Sequence, residues 1–264
     1  MDTHWPFSLP NHRNPFMKYK ILNLRRRFSV IPGQRECDEE TGQLIEEMYD
    51  ASIRRLDARL ETLFDSLQGQ RMLKDTYVFI TSDHGEELLE RGALDHQENV
   101  YQEVAHVPLI IKNPDSEEYS ISESVVSLLD IPTTILTNES IPIPVGYEGV
   151  SIFQNDRTHC ISETVVPSVN KSAKGWKNLY EVPLNQFIYA VRNKQYTVVH
   201  DKDGKHKFFD RKTDAQEKLQ IEGSSVELER LIRTLKRHEL AAVEAERRKV
   251  KQRVTRLKAT GKMK

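Results

Sequence analysis

The sequence predicts an α/β fold, in which a mostly parallel sheet is flanked by helices and a small antiparallel sheet with a helix follows. Three observations predict it. Residues 44–67 place apolar side chains at three- and four-residue intervals. Residues 76–81 and 107–111 are short runs, β-branched or aromatic and apolar on both faces, as strands covered by helices on both sides must be. Residues 187–210 separate apolar runs by polar turns, the pattern of antiparallel hairpins.

Each element follows from its residues. Leu44, Ile45, Met48, Tyr49, Ile53, Leu56, Leu60, Leu63, Phe64 and Leu67 form one stripe, with Glu46, Glu47, Arg54, Arg55 and Glu61 between them, and Gly69 ends the helix. The first strand is Thr76-Tyr77-Val78-Phe79-Ile80-Thr81. The second is Val107-Pro108-Leu109-Ile110-Ile111, with its proline at the tolerated start. A polar segment, residues 82–98, and a short helical stretch at about residues 100–105 lie between them. Strand, helix, strand in that order predicts a right-handed parallel crossover. Residues 124–133 read as a helix running into a break at Pro132, and Pro142, Pro144, Gly146 and Gly149 mark a loop. Phe187 to Val191 and Gln195 to Val199 flank Arg192-Asn193-Lys194, and Asp201-Lys202-Asp203-Gly204 turns the chain toward Lys207-Phe208-Phe209. From Ser225 onward the chain reads as a charged helix, whose residues 247–264 carry basic but no acidic side chains.

Composition excludes several function classes. Lysine and arginine number 39 against 40 aspartates and glutamates, so no global charge draws the chain to nucleic acid or membrane. No apolar run approaches the roughly 18–20 residues of a membrane-spanning helix. Two cysteines, Cys37 and Cys160, exclude a disulfide framework and a cysteine-based zinc site, and they fit either redox compartment. The first residues lack the basic-then-apolar layout of a signal peptide. If Met1 is the true start, the compartment is cytoplasmic.

The chemistry concentrates in Thr81-Ser82-Asp83-His84-Gly85-Glu86-Glu87. This string follows directly on the first strand, and the carboxyl ends of strands in open α/β sheets collect ligands and catalytic groups. An adjacent carboxylate and imidazole on a tight turn can both reach one divalent cation, and Gly85 frees the backbone to turn. The residues alone also admit an Asp83 that caps a following helix and a His84 on the surface. Glu86 and Glu87 read as first-turn helix carboxylates.

Taken together, these strings resemble the sulfatase family of the alkaline-phosphatase-like superfamily. Residues 75–86 are similar to the family's metal-binding strand and loop. Tyr49 to Asp57 resembles the helix before it, and Asn99 to Ile111 the crossover into the next strand. Val126 to Thr133 with Gly149-Val150-Ser151 resembles a further family segment, and residues 187–219 its C-terminal sheet and the acidic stretch after it. The resemblance covers about residues 1–235. It implies an alkaline-phosphatase-like α/β domain over 1–155, an antiparallel subdomain over 156–235, and a basic helical tail over 236–264.

What the resemblance implies for chemistry is metal-dependent hydrolysis of a small-molecule or carbohydrate sulfate ester. Asp83 and His84 would be metal ligands. One divalent ion is implied: calcium by family, with manganese or zinc brought into range by an imidazole where many sulfatases carry asparagine. His4, in Asp2-Thr3-His4-Trp5-Pro6-Phe7, and His96, in Leu94-Asp95-His96-Gln97, would face the sulfate and the leaving oxygen. His106 reads as structural, and Glu163 matches a common family position without a chemical role. The family's nucleophile string, Cys/Ser-x-Pro/Ala-x-Arg, is absent, since Cys37 and Cys160 fit neither form. No formylglycine can arise from this sequence, and the family's N-terminal acidic pair is missing too. The expectation is a C-terminal part of such an enzyme, beginning at an internal methionine, inactive alone and exposing unpaired strand edges. Two alternatives stay open. One is a phosphodiesterase or phosphonate monoester hydrolase of the same superfamily. The other is a non-catalytic remnant binding polyanions through the basic tail, with no specific nucleic acid implied.

Overall fold

The computed structural model describes residues 39–92, 94–96, 99–116, 118–154, 157–165, 187–201 and 203–259. Among these the chain forms two compact units. One holds the described residues up to His96 together with Glu103–Ile121. The other holds those of 97–102 together with those from Ser122 onward.

The first unit begins with α1, Glu39–Gly69, which has Glu39 and Glu40 at the amino end where the helix dipole favours them. Gly69 is its last residue, as expected. Its buried residues, Thr41, Ile45, Met48 and Ser52, lie three or four apart on one stripe. The stripe continues in sequence, but Ile53, Leu56 and Leu63 are exposed, so the packed part of α1 is its first half. A single 3-10 turn, Met72–Asp75, leads to β1, Val78–Thr81. A two-strand hairpin follows, β2 at Glu87–Leu88 and β3 at Leu94–Asp95, then the one-turn helix α2, Gln102–Ala105, and β4, Leu109–Lys112.

β1 and β4 pair antiparallel, with Val78 opposite Lys112 and Thr81 opposite Leu109. This corrects the expected parallel crossover. A parallel partner must re-enter at the far end of a strand about 13 Å long. Among the described residues only the β2–β3 hairpin and the four residues of α2, which rise about 6 Å, stand between β1 and β4, so no crossover helix carries the chain to the far end and β4 re-enters where β1 leaves. Every strand pairing among the described residues is antiparallel, so the mostly parallel sheet is corrected with it. Only two strands form the β1–β4 sheet there, and its residues are half-buried or exposed, Ile110 among them, rather than covered on both faces. The helix after His84 is absent as well, because residues 84–86 run without helical structure into β2.

In the second unit, α3 spans Asp130–Asn138 and carries Pro132 in its first turn. Proline there sacrifices no helical hydrogen bond, so it opens this helix where a break was expected. Asp130 is buried and accepts hydrogen bonds from the backbone N–H groups of Ser127 (2.8 Å) and Val150 (2.9 Å), while the Arg157 Nε donates to it at 2.7 Å. A Cβ on Gly149 would lie 2.0 Å from the Leu129 carbonyl oxygen, which explains glycine there by close approach. The Asp130, Pro132 and Gly149 signature therefore holds a loop against a helix.

The expected meander is present and gains a strand. β5 (Cys160–Val165), β6 (Phe187–Arg192), β7 (Tyr196–His200) and β8 (His206–Asp210) form one antiparallel sheet in that order. Side chains alternate between its faces. Tyr189, Val191 and Val198 pack with Leu228, Leu231 and Leu235 of α4, Val226–Ala259. Ile188, Ala190, Val199 and Phe209 pack with Val100 on the other side. Burial on both faces makes β6 apolar without alternation. Among the described residues no helix is long and apolar enough to cross a membrane.

Candidate functional site

The site grows from the carboxyl end of β1. Beyond Thr81 the chain turns through Ser82, whose hydroxyl donates to the His84 carbonyl at 2.7 Å. The Asp83 carboxylate accepts the His84 backbone N–H at 3.1 Å. Gly85 then passes so close to α2 that its N–H donates to the Val104 carbonyl at 2.8 Å, and a Cβ would lie 2.1 Å from the Glu103 carbonyl oxygen. Glycine is required here for close approach, not for an unusual turn. With Gly85 pressed on α2, His84 and Glu86, two residues apart, meet on one side.

The hairpin brings the third member. Glu87 pairs with Asp95 and Leu88 with Leu94, so Glu86 and His96 stand at the next cross-strand position. His96 Nδ1 lies 3.3 Å from Glu86 Oε1. The His84 and His96 rings stack with centroids 3.8 Å apart and planes 23° apart. One donor atom from each of His84, Glu86 and His96 lies within 4.8 Å of the others. Their side chains are 31%, 5% and 20% exposed, a recess that a small ion can enter. The hairpin loop is tied down by Arg91, whose guanidinium pairs with Glu103 and whose N–H donates to Glu87 Oε1 at 3.1 Å.

Charge organises the surroundings. Burial pushes the Tyr49 phenol on α1 up, and the carboxylates of Glu86, Glu90 and Asp50 push it further. At Asp83 slight burial pushes the carboxyl up, and this is outweighed by neighbouring His84 and by hydrogen bonds from the backbone and Ser82, so it sits below its usual range.

Of the residues singled out by sequence, His84 and His96 come together. Asp83 adjoins them, but its side chain is 87% exposed and its Oδ2 is 3.8 Å from His84 Nε2. It is absent from the His84–Glu86–His96 group. His4 lies outside the described residues. Glu86, read from the sequence as a helix carboxylate, stands inside the group. The available signal was a His-x-Glu string with a second histidine ten residues on, which faces one way only if the intervening chain is a hairpin. Burial pushes the Cys160 thiol up against the pull of Arg192, Arg211 and Arg157, which makes it a poor nucleophile.

Comparison with known proteins places the chain as a whole. Among solved structures, phosphonate monoester hydrolase from Silicibacter pomeroyi matches with a TM-score of 0.66 and 21% identity, over 89% of this chain and 51% of that one. A protein solved with its substrate D-glucosamine-2-N,6-O-disulfate matches at 0.59 and 20% identity, over 84% of this chain and 45% of that one. The chain thus shares the alkaline-phosphatase-like fold of these proteins. A family model described as Sulfatase matches residues 8–138, and arylsulfatase K of Bos taurus is 28% identical over 169 residues, 61% of this chain and 29% of that protein. The chain belongs to the sulfatase family. It spans about a third of the length of that relative.

Proposed function

We propose that this chain contributes the metal-and-leaving-group side of a site that hydrolyses a sulfate ester of a carbohydrate. The observation that carries the reading is the recess at the end of β1, where His84, Glu86 and His96 converge beside the Asp83 carboxylate. A substrate-bound neighbour of the same fold, holding a sulfated glucosamine, supports a sulfated sugar as the substrate class.

Two imidazoles and two carboxylates within one turn and one hairpin suit a divalent cation. Asp83 and His84 are the proposed holders of the catalytic ion, calcium by family. Such an ion supplies a positive charge that neutralises sulfate oxygens. His96, pinned at the hairpin by its cross-strand position, is the proposed contact to the ester, and His4 is proposed for the same role from the family resemblance. In hydrolysis water adds across the S–O bond and the departing alkoxide takes up a proton. A positioned imidazole serves that proton transfer.

No Cys/Ser-x-Pro/Ala-x-Arg string occurs in the 264 residues. Turnover is therefore expected only where a nucleophile-bearing polypeptide joins this one. The test is hydrolysis of glucosamine 6-sulfate, 4-nitrophenyl sulfate and a phosphonate monoester by the chain alone and after complementation with that segment of a relative. The expected result is no turnover alone, and sulfate release on complementation that His84→Ala abolishes. Faster cleavage of the phosphonate would move the function to phosphonate monoester hydrolysis.

A further inference from the structure

We propose that His84, Glu86 and His96 form a binding site for a zinc-class divalent ion, set inward of Asp83. The donor set comes first. Two imidazoles and one carboxylate match the His2Glu composition of zinc sites, whereas calcium takes six to eight oxygens. Asp83, the oxygen donor beside them, turns its side chain to solvent.

Geometry agrees with the chemistry. Zinc–ligand bonds of about 2.0–2.1 Å at tetrahedral angles put neighbouring donors about 3.3–3.4 Å apart. His96 Nδ1 and Glu86 Oε1 lie 3.3 Å apart, and the donors of all three residues fall within 4.8 Å, so modest side-chain rotation closes the site. The backbone already holds them, because Glu86 and His96 continue the register of β2 and β3. His84 Nδ1 lies 3.0 Å from the Gly85 carbonyl oxygen. A proton shared there keeps the lone pair on Nε2, the outer-shell device that fixes the tautomer of metal-binding histidines. The fourth position is left to water or an anion. An ion so held also occupies His84 and His96, which under the proposed function hold the catalytic ion and face the ester. This consequence rests on that reading and makes zinc-class ions inhibitors of turnover.

Zinc binding to the 264-residue chain, measured by calorimetry and by competition with a chromophoric chelator, tests the site without substrate. One zinc should bind, millimolar calcium should fail to displace it, and Glu86→Gln and His96→Gln should each weaken it by about tenfold or more. Asp83→Asn should leave it nearly unchanged. Binding unaffected by Glu86→Gln and His96→Gln, or weakened as much by Asp83→Asn, overturns the site. Zinc K-edge absorption on the unmutated chain covers the case of a misfolded variant: a shell with two imidazoles supports the site, and a shell with one or none overturns it. Loss of zinc binding overturns the site whatever the hydrolysis assay gives. Intact binding without sulfate turnover after complementation supports the site and overturns the function.

Discussion

Glu86 and Glu217 are both buried carboxylates facing a nitrogenous side chain, and they do different things. Glu217 is surrounded by donors that cannot change. Arg192 gives it Nε and Nη2 contacts, each of 2.8 Å, the Thr197 hydroxyl gives one of 2.6 Å, and the Gln102 N–H gives one of 3.0 Å. A guanidinium stays charged at any ordinary pH and offers no lone pair. This network fastens residues 100–102 to the sheet, with Arg192 also reaching the Val100 carbonyl. It holds Glu217 at φ 55°, a left-handed conformation that ordinarily costs about 1–3 kcal/mol. Glu86 faces His96 and His84, which can give a proton or a lone pair. Burial of a carboxylate alone therefore does not mark a chemical site. What its partners can exchange does.

The largest expected effect breaks the comparison directly. Glu217→Ala leaves Arg192 buried and unpaired, which costs about 3–5 kcal/mol. Urea unfolding followed by circular dichroism should show it. Glu86→Gln keeps the shape and a hydrogen-bonding oxygen, so a loss below about 1.5 kcal/mol is expected from the same measurement. Equal losses would mean that Glu86 is structural in the same sense as Glu217.

The same contrast explains what was legible beforehand. The β6–β8 meander and α4 announce themselves locally, because alternation and helical spacing are properties of neighbouring residues. Asp83, His84 and His96 were singled out through an ordered set of strings, and of these the structure brings His84 and His96 together. Glu86 was not, because its place beside His96 depends on a hairpin of two-residue strands, too short to leave a periodic signal. The direction of β4 was missed for a related reason. Apolar runs specify a strand but not its sense, and the one-turn α2 carried too little pattern to show how far the chain travels. Pro132 was misread because a proline that opens a helix and one that ends it look alike without the contacts that fix the helix start. Among the described residues no side chain caps this helix; its first residue, Asp130, is fixed by contacts to residues 150 and 157, far along the sequence.

Gly85→Ala sharpens the comparison from the backbone side. Its Cβ would collide with the Glu103 carbonyl at 2.1 Å, and overpacking of that kind costs about 1–3 kcal/mol. Because Gly85 spaces His84 from Glu86, zinc affinity should fall along with the unfolding midpoint. A stable Gly85→Ala variant with unchanged zinc binding would show that this contact does not set the site. The second unit also contains an ion pair that resembles the Glu86–His96 contact. His238 Nε2 lies 2.8 Å from Glu163 Oε2, with side chains 31% and 51% exposed. It joins α4 to β5 in water, so His238→Ala should cost no more than about 1 kcal/mol and leave zinc binding intact.

A further expected effect is a pH dependence centred on the rings between β6, β7, β8 and α4. His200 Nδ1 and His206 Nε2 stand 3.3 Å apart across β7 and β8. Burial lowers His206 below its ordinary value near 6.5, His200 and Lys236 lower it further, and Asp201 and Glu239 pull weakly the other way. The folded chain therefore holds fewer protons than the unfolded chain in this range, and stability rises with pH. That contribution is complete above about pH 6.5 and is lost as pH falls through the depressed folded value. Tyr189, in ring contact with His200 and His238, acts at the other end. Burial, then Glu163 and Glu239, push its phenol up to about 12 from 10.0. A raised phenol keeps its proton longer in the folded chain, so its contribution is complete below pH 10 and is lost toward 12. Urea midpoints measured from pH 5 to 11 should trace a plateau falling at both ends. His206→Gln should flatten the acid limb and Tyr189→Phe the alkaline one, while Glu86→Gln moves neither. An acid limb that survives His206→Gln but vanishes with Glu86→Gln would move the pH-sensitive element from the second unit to the recess beside β1.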